Sequence, residues 1–152
     1  MGFLHKLAAR VEAPKATVAV LLDKPIVSVR DPLTGKIQVT SYEEFDIDEI
    51  RLEIKVHEWT RATQRQNLGG IERDITSEMQ NPHHNSEVTL QTGMHVTNGF
   101  RQEYPFSVNL PAGLPPTYRG INATNAWYVK SVAAVRGRPD IVGHETEVQV
   151  TG

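Results

Sequence analysis

Between Ile50 and His57 the chain alternates strictly. Ile50, Leu52, Ile54 and Val56 are apolar, and Arg51, Glu53, Lys55 and His57 stand between them. Successive side chains of an extended strand point to opposite faces, so this stretch has one wet and one buried face. On a helix the same apolar residues would spread around the circumference. Such a row needs a second apolar surface to cover it, and that need restricts the fold more than any other feature of the chain. The strand is expected to continue as far as Trp59.

The pattern recurs at intervals. Val18, Val20 and Leu22 form a row near the start, and Ile37 and Val39 follow a turn-like Asp31-Pro32-Leu33-Thr34-Gly35. Val88 and Leu90 follow a polar stretch, Asn81 to Ser86, expected to be a loop. Phe106, Val108 and Leu110 alternate with polar residues until Pro111. Trp127, Val129, Ala133 and Val135 share parity with only Ser131 interrupting, and Val148 and Val150 close the series. Pro and Gly clusters separate most of these runs. Many short strands, each with one apolar face, predict two antiparallel sheets packed face to face, an immunoglobulin-like β-sandwich. The expectation is one all-β domain over residues 1–152. Arg61 to Gly70 (RATQRQNLGG) offers little to bury and is expected to be an exposed, mobile loop.

At the N-terminus, Phe3, Leu4, Leu7, Ala8 and Val11 fall at helical spacing. A short amphipathic helix there would serve a partner or membrane surface, or form a terminal turn covering an open end of the domain; the second is the expectation. The stretch is too short and interrupted for a signal peptide, and Lys6 stands where a myristoylation motif wants Ser or Thr.

Composition removes several function classes. A net charge of −2 gives no field to draw in nucleic acid or an anionic membrane. The chain has no cysteine, which excludes disulfides and thiolate metal sites and suits a reducing cytoplasm. No apolar run approaches the ~20 residues of a membrane span.

Few residues suggest chemistry. His83 and His84 are adjacent, but a metal site needs three or four converging ligands, and the remaining histidines, His5, His57, His95 and His144, are scattered. Glu43, Glu44, Asp46, Asp48 and Glu49 offer oxygen ligands of the kind Ca²⁺ takes, without EF-hand spacing; the plainer reading is a charged approach to a strand, with Phe45 and Ile47 dipping inward. No nucleophile elbow, zinc-protease motif or phosphate-cradling glycine run is present. Asn122-Ala123-Thr124 matches a glycosylation sequon, and Arg136-Gly137-Arg138-Pro139 reads as a solubilising turn. No catalytic, cofactor-binding or metal-binding residue is assigned, and no cofactor is implied.

The carboxyl-terminal third carries more than pattern. Tyr104 to Pro116 reads YPFSVNLPAGLPP, and Ala126 to Val132 reads AWYVKSV. This stretch resembles the amino-terminal domain of arrestin-like proteins. There a Pro-Phe-Ser-Phe-like strand leads to a Leu-Pro-Pro turn and then to a strand carrying Tyr-x-Val-Lys. The matching positions are Pro105, Phe106, Ser107, Leu110, Pro111, Leu114, Pro115, Pro116, Trp127 or Tyr128, Val129 and Lys130. The opening, MGFLHKLAARV with Lys15 to Leu22, is similar to the prokaryotic sporulation-control branch of these proteins. The family's Pro-Gly-Glu turn is replaced here by Asp31 to Gly35.

The resemblance implies an arrestin-like fold and a non-catalytic adaptor or scaffold role toward protein partners in a prokaryotic cytoplasm. A ligand-binding sandwich for Ca²⁺, carbohydrate or a lipid headgroup, using Glu43–Asp48 or Asn81–Ser86, is the alternative. An enzyme is a distant third.

Overall fold

The computed structural model describes residues 12–152. The expected N-terminal helix lies outside them. The strands are β1 (Ala16–Leu22), β2 (Ile26–Ser28), β3 (Leu33–Ser41), β4 (Phe45–Leu68), β5 (Ile71–Val96), β6 (Arg101–Val108), β7 (Tyr118–Arg119), β8 (Ala123–Val135), β9 (Ile141–Val142) and β10 (Thr146–Thr151). They form two sheets. One has the order β1-β3-β6 and the other β2-β10-β8-β4-β5, with β7 and β9 alongside β8.

The alternating rows meet between the sheets. Val18, Val20, Ile37, Val39, Phe106 and Val108 come from the first sheet. Ile50, Leu52, Ile54, Val56, Trp127, Val129, Ala133, Val148 and Val150 come from the second. The four apolar residues of the Ile50–Val56 row are at most 1% exposed, so the inward face is the one the alternation specifies. Phe45 and Ile47 are also buried, and Ser131 lies fully inside the β8 row it interrupts. At roughly 25 cal/mol per Å² of apolar surface removed from water, such rows supply most of what opposes the chain's lost conformational freedom.

Four expectations need correction. Pairing is antiparallel except at one place: β10 adds β2 in parallel, Gln149 beside Ile26 and Thr151 beside Ser28. The Asp31–Gly35 turn ends earlier than expected, because Leu33 is 1% exposed and already opens β3. Gly35 is in that strand for want of space: a Cβ there would lie 2.5 Å from the Leu21 carbonyl oxygen. Asn81 to Ser86 is not a loop but the middle of β5, paired with β4 from Ile54 to Glu58. Finally, Arg61 to Leu68 is strand.

That last correction reshapes the molecule. β4 runs for 24 residues and β5 for 26, paired from Phe45–Val96 to Leu68–Ile71. β8 accompanies β4 only as far as Thr60, opposite Ala123. Beyond it the hairpin continues as a two-stranded arm, about 26 Å long at ~3.3 Å per residue. Gly69 and Gly70 turn it with φ of 62° and 87°, and two left-handed residues are what a tight hairpin of matching twist requires.

Candidate interaction surface

The outward residues of β4 make a half-buried ionic layer. Arg51 Nε donates to Glu53 at 3.0 Å and approaches Glu87 (3.7 Å), while its Nη2 lies 3.5 Å from Asp140. Lys130, from β8, lies 3.6 Å from Glu53. Lys55 donates to Glu145 at 2.8 Å and sits over the Tyr128 ring, 5.2 Å from its centre. Strand order produces this layer: Lys55 has Asn85 on one side and Tyr128 on the other, and Tyr128 borders Glu147 of β10. A shallow cleft of about 80 Å³ opens among Glu53, Lys55, Asn85, Tyr128, Lys130 and Glu145. That is well below the ~300 Å³ at which small-molecule pockets begin, so the cleft suits a side chain better than a metabolite.

Beside the cleft runs an open edge. β5 pairs with β4 and, among the described residues, with no other strand. Two irregularities interrupt its register, one between Ile50 and Arg51 and one between Val56 and His57 of the partner strand. They bound a regular segment, His84 to Thr89, opposite Val56 to Arg51. Pro82, without an N–H, lies just outside it. Unpaired main-chain groups along such an edge are a template for another extended chain.

The carboxylates from Glu43 to Glu49 take separate partners, except that Glu44 and Asp46 share the His95 ring. Glu43 is held by the Arg138 guanidinium and accepts the Lys15 N–H at 2.9 Å. The Arg138 hydrogen bond is the main reason its carboxyl titrates below the ordinary range. Asp46 contacts His95 Nδ1 at 2.7 Å, and that contact, foremost, raises the imidazole pKa. Asp48 pairs with Arg136 at 3.2 Å, and Glu49 accepts from Thr89 at 2.7 Å. The Arg136–Pro139 turn and the acidic run are therefore partners, a relation that residues ninety positions apart do not reveal in a sequence.

His83 and His84 take different surroundings. His83 Nε2 lies 3.6 Å from Glu58, whereas His84 Nε2 is buried with no hydrogen-bond partner among the described residues. Glu58 also accepts from the Tyr118 hydroxyl at 2.7 Å. That bond, first among its causes, holds Glu58 below the ordinary carboxylate range and lifts the Tyr118 phenol above its own. The contact braces the root of the arm from β7. Among the described residues no group of three or more His, Asp or Glu is placed to hold a metal ion.

A family model described as SpoOM protein matches residues 4–146. The chain belongs to that family. No curated protein matches it. Among solved structures it is similar to the crystal structure of Spo0M, sporulation control protein, from Bacillus subtilis, with a TM-score of 0.63 at 16% identity. The match covers 92% of this chain and 51% of that one, so this chain spans about half the length of the solved relative. The sporulation-control resemblance seen in the residues is thus the family found, and the arrestin-like sandwich is the fold.

For this SpoOM-family chain the motif residues of the last third prove architectural. Trp127 Nε1 donates to the Pro115 carbonyl at 2.9 Å. Asn125 Nδ2 donates to the carbonyls of Pro115 and Pro116, at 2.9 and 3.0 Å. The Leu-Pro-Pro turn is tied to β8 by two buried side chains, and prolines there leave carbonyls to be satisfied without competing N–H groups. Sequence reasoning recognised Pro115, Pro116 and Trp127 but neither Asn125 nor the open β5 edge, whose polar, proline-containing middle carries no strand signal.

Proposed function

We propose that this domain is a non-catalytic interaction module, an adaptor that captures an extended segment of a protein partner along β5 between His84 and Thr89. The observation that carries this reading is the regular, open stretch of edge strand beside a cleft sized for a side chain. Main-chain pairing would supply affinity, and the Lys55–Tyr128–Lys130 layer with Glu53 and Glu145 would select the adjoining side chain. Both signs of charge line the cleft, so a polar or zwitterionic contact suits it better than a lone anion. Membership of a sporulation-control family is consistent with a regulatory adaptor, and the cysteine-free composition with a cytoplasmic one.

Hydrogen exchange on the domain with and without a captured partner tests this. Extra protection should be concentrated in the amides of residues 84–89. A complex that leaves those amides unchanged and protects another surface sinks the edge-docking proposal.

A further inference from the structure

Where the sandwich ends and the arm begins, polar residues take over the inward row. By strand parity Glu58 follows Leu52, Ile54 and Val56 on the inner side of β4. Across the sheet it stands in a row of four: Asn81 of β5, Glu58, Asn125 of β8 and Tyr118 of β7. The Tyr118 hydroxyl donates to Glu58 Oε2 at 2.7 Å and so passes over Asn125, which stands between them and is fully buried.

Two oxygens of this row lack a close donor. Glu58 Oε1 has Asn81 Nδ2 at 3.5 Å and His83 Nε2 at 3.6 Å, both at or beyond the limit of a useful hydrogen bond. Asn125 commits its Nδ2 to the carbonyls of Pro115 and Pro116, and its Oδ1 has no partner among the described residues. Buried acceptors are normally satisfied. Charge is unbalanced as well. Glu43 and Glu53 are enclosed to a similar degree, and each has an arginine. Glu58, with its side chain 20% exposed, has no lysine or arginine among the described residues. The Tyr118 bond, foremost, holds its carboxyl below the ordinary range. A charged, half-enclosed carboxylate beside an acceptor without a donor calls for a group that is positive and rich in N–H. A guanidinium is both, with five N–H donors in a planar fork.

The way in lies along β5. Oε1 leans to that side, between Asn81 and His83, and His84 opens the regular free edge. A strand added to that edge would lie two strand spacings from β4, about 10 Å. A short side chain cannot cross that gap, whereas an arginine and a glutamate reaching from its two sides can. His84, Ser86 and Val88 share the inner side, opposite Val56, Ile54 and Leu52, and Val88 packs against the core. Incoming residues opposite His84 and Val88 stand four apart on one face.

We infer that the segment captured by β5 carries an arginine opposite His84, its guanidinium on Glu58 Oε1 with N–H groups left for Asn125 Oδ1, and an aliphatic residue four positions away beside Val88. The partner is then a basic extended segment of another protein, a refinement that rests on edge docking as proposed above. A charge-assisted contact in a half-enclosed niche gives selectivity: a neutral or acidic side chain there leaves Glu58 desolvated and unpaired.

The test starts from short random peptides displayed on phage and panned on the whole chain. Enriched sequences should share an arginine four positions from an aliphatic residue. The tightest of them, made synthetically, should protect the amides of residues 84–89 and bind Glu58→Gln about tenfold or more weakly than the wild type. Replacing its arginine with the neutral isostere citrulline should cost a similar factor on the wild type and little on Glu58→Gln, because the two changes remove the same contact. The citrulline peptide on the wild type gives an answer even where Glu58→Gln loses its fold, which its thermal midpoint reports. Peptides that protect residues 84–89 without a basic residue, no loss on citrulline substitution, or a citrulline loss undiminished in folded Glu58→Gln overturn the inference and leave edge docking standing. Enriched peptides that protect a different surface, or no enrichment at all, remove both.

Discussion

From Phe45 to Val56, strand β4 turns an aliphatic row into the space between two sheets. From Arg61 to Leu68 the same strand keeps the same pairing with β5 and, among the described residues, has no layer packed on either side. The near half has β8 beside it and a second layer across from it; the far half has neither. Backbone pairing is therefore not what separates the buried half from the exposed one. Side-chain pattern is: Ile50, Leu52, Ile54 and Val56 give way at the same parity to Thr60, Ala62, Gln64 and Gln66. Alternation of apolar and polar residues announces a strand with a layer to pack on. A strand that outruns its layer is written in turn chemistry and cross-strand pairs, which are quieter signals.

The largest effect should come from placing a charge on the near half. Leu52→Asp buries an unpaired carboxylate at a fully enclosed position and should abolish the cooperative thermal transition in circular dichroism. Gln66→Asp, at the same parity on the far half, should change stability by no more than about 0.5 kcal/mol. Similar losses at both positions would erase the contrast between the halves. Trimming the arm sharpens it further. Joining Thr60 to Met79 through Asn-Gly removes the exposed ribbon but leaves every β4–β8 pair, so the sandwich midpoint should shift by less than about 4 °C, equivalent to ~1 kcal/mol for a chain of this size. A collapse of the midpoint would mean that the arm supports the body.

The smallest effect concerns the end of the near half remote from the arm. The folded pKa of Glu43 lies below its unfolded value, mainly through Arg138. Its stabilisation is thus fully present above the ordinary carboxylate value of 4.5 and is lost as pH falls through the folded value. Urea midpoints of the wild type should fall on acidification below that point more steeply than those of Glu43→Gln. Parallel pH profiles would show that the Arg138 contact contributes nothing measurable.

Most of the sandwich was legible because burial imprints itself on sequence with period two. The rows at Val18, Ile37, Ile50, Phe106, Trp127 and Val148 all point inward as their spacing requires. The arm was not legible, since Thr, Gln and Arg satisfy an exposed ribbon and a loop equally well. Gly69-Gly70 between Leu68 and Ile71 was the available clue, a two-residue turn flanked by apolar residues. The middle of β5 escaped for a related reason: Pro82 and two histidines are tolerated on an edge strand and look like a connection. The Arg138–Glu43 and Trp127–Pro115 contacts were hidden by distance along the chain, although both ends of each were noticed.

The parallel pair at the margin of the larger sheet bears on the order of assembly. Among the described residues β2 reaches that sheet solely through β10, and Ile26 must wait for Gln149. As the nascent chain leaves the ribosome, β1, β3 and β6 can close antiparallel pairs while β2 has no strand to join. Contacts of such long sequence separation slow folding, because the intervening loop must be closed before any pairing energy returns. Docking of β2 should therefore be a late event in refolding, following the burial of Trp127, and a nascent chain stalled before Thr146 should expose Ile26 to Ser28 to any chaperone that reads unpaired strands.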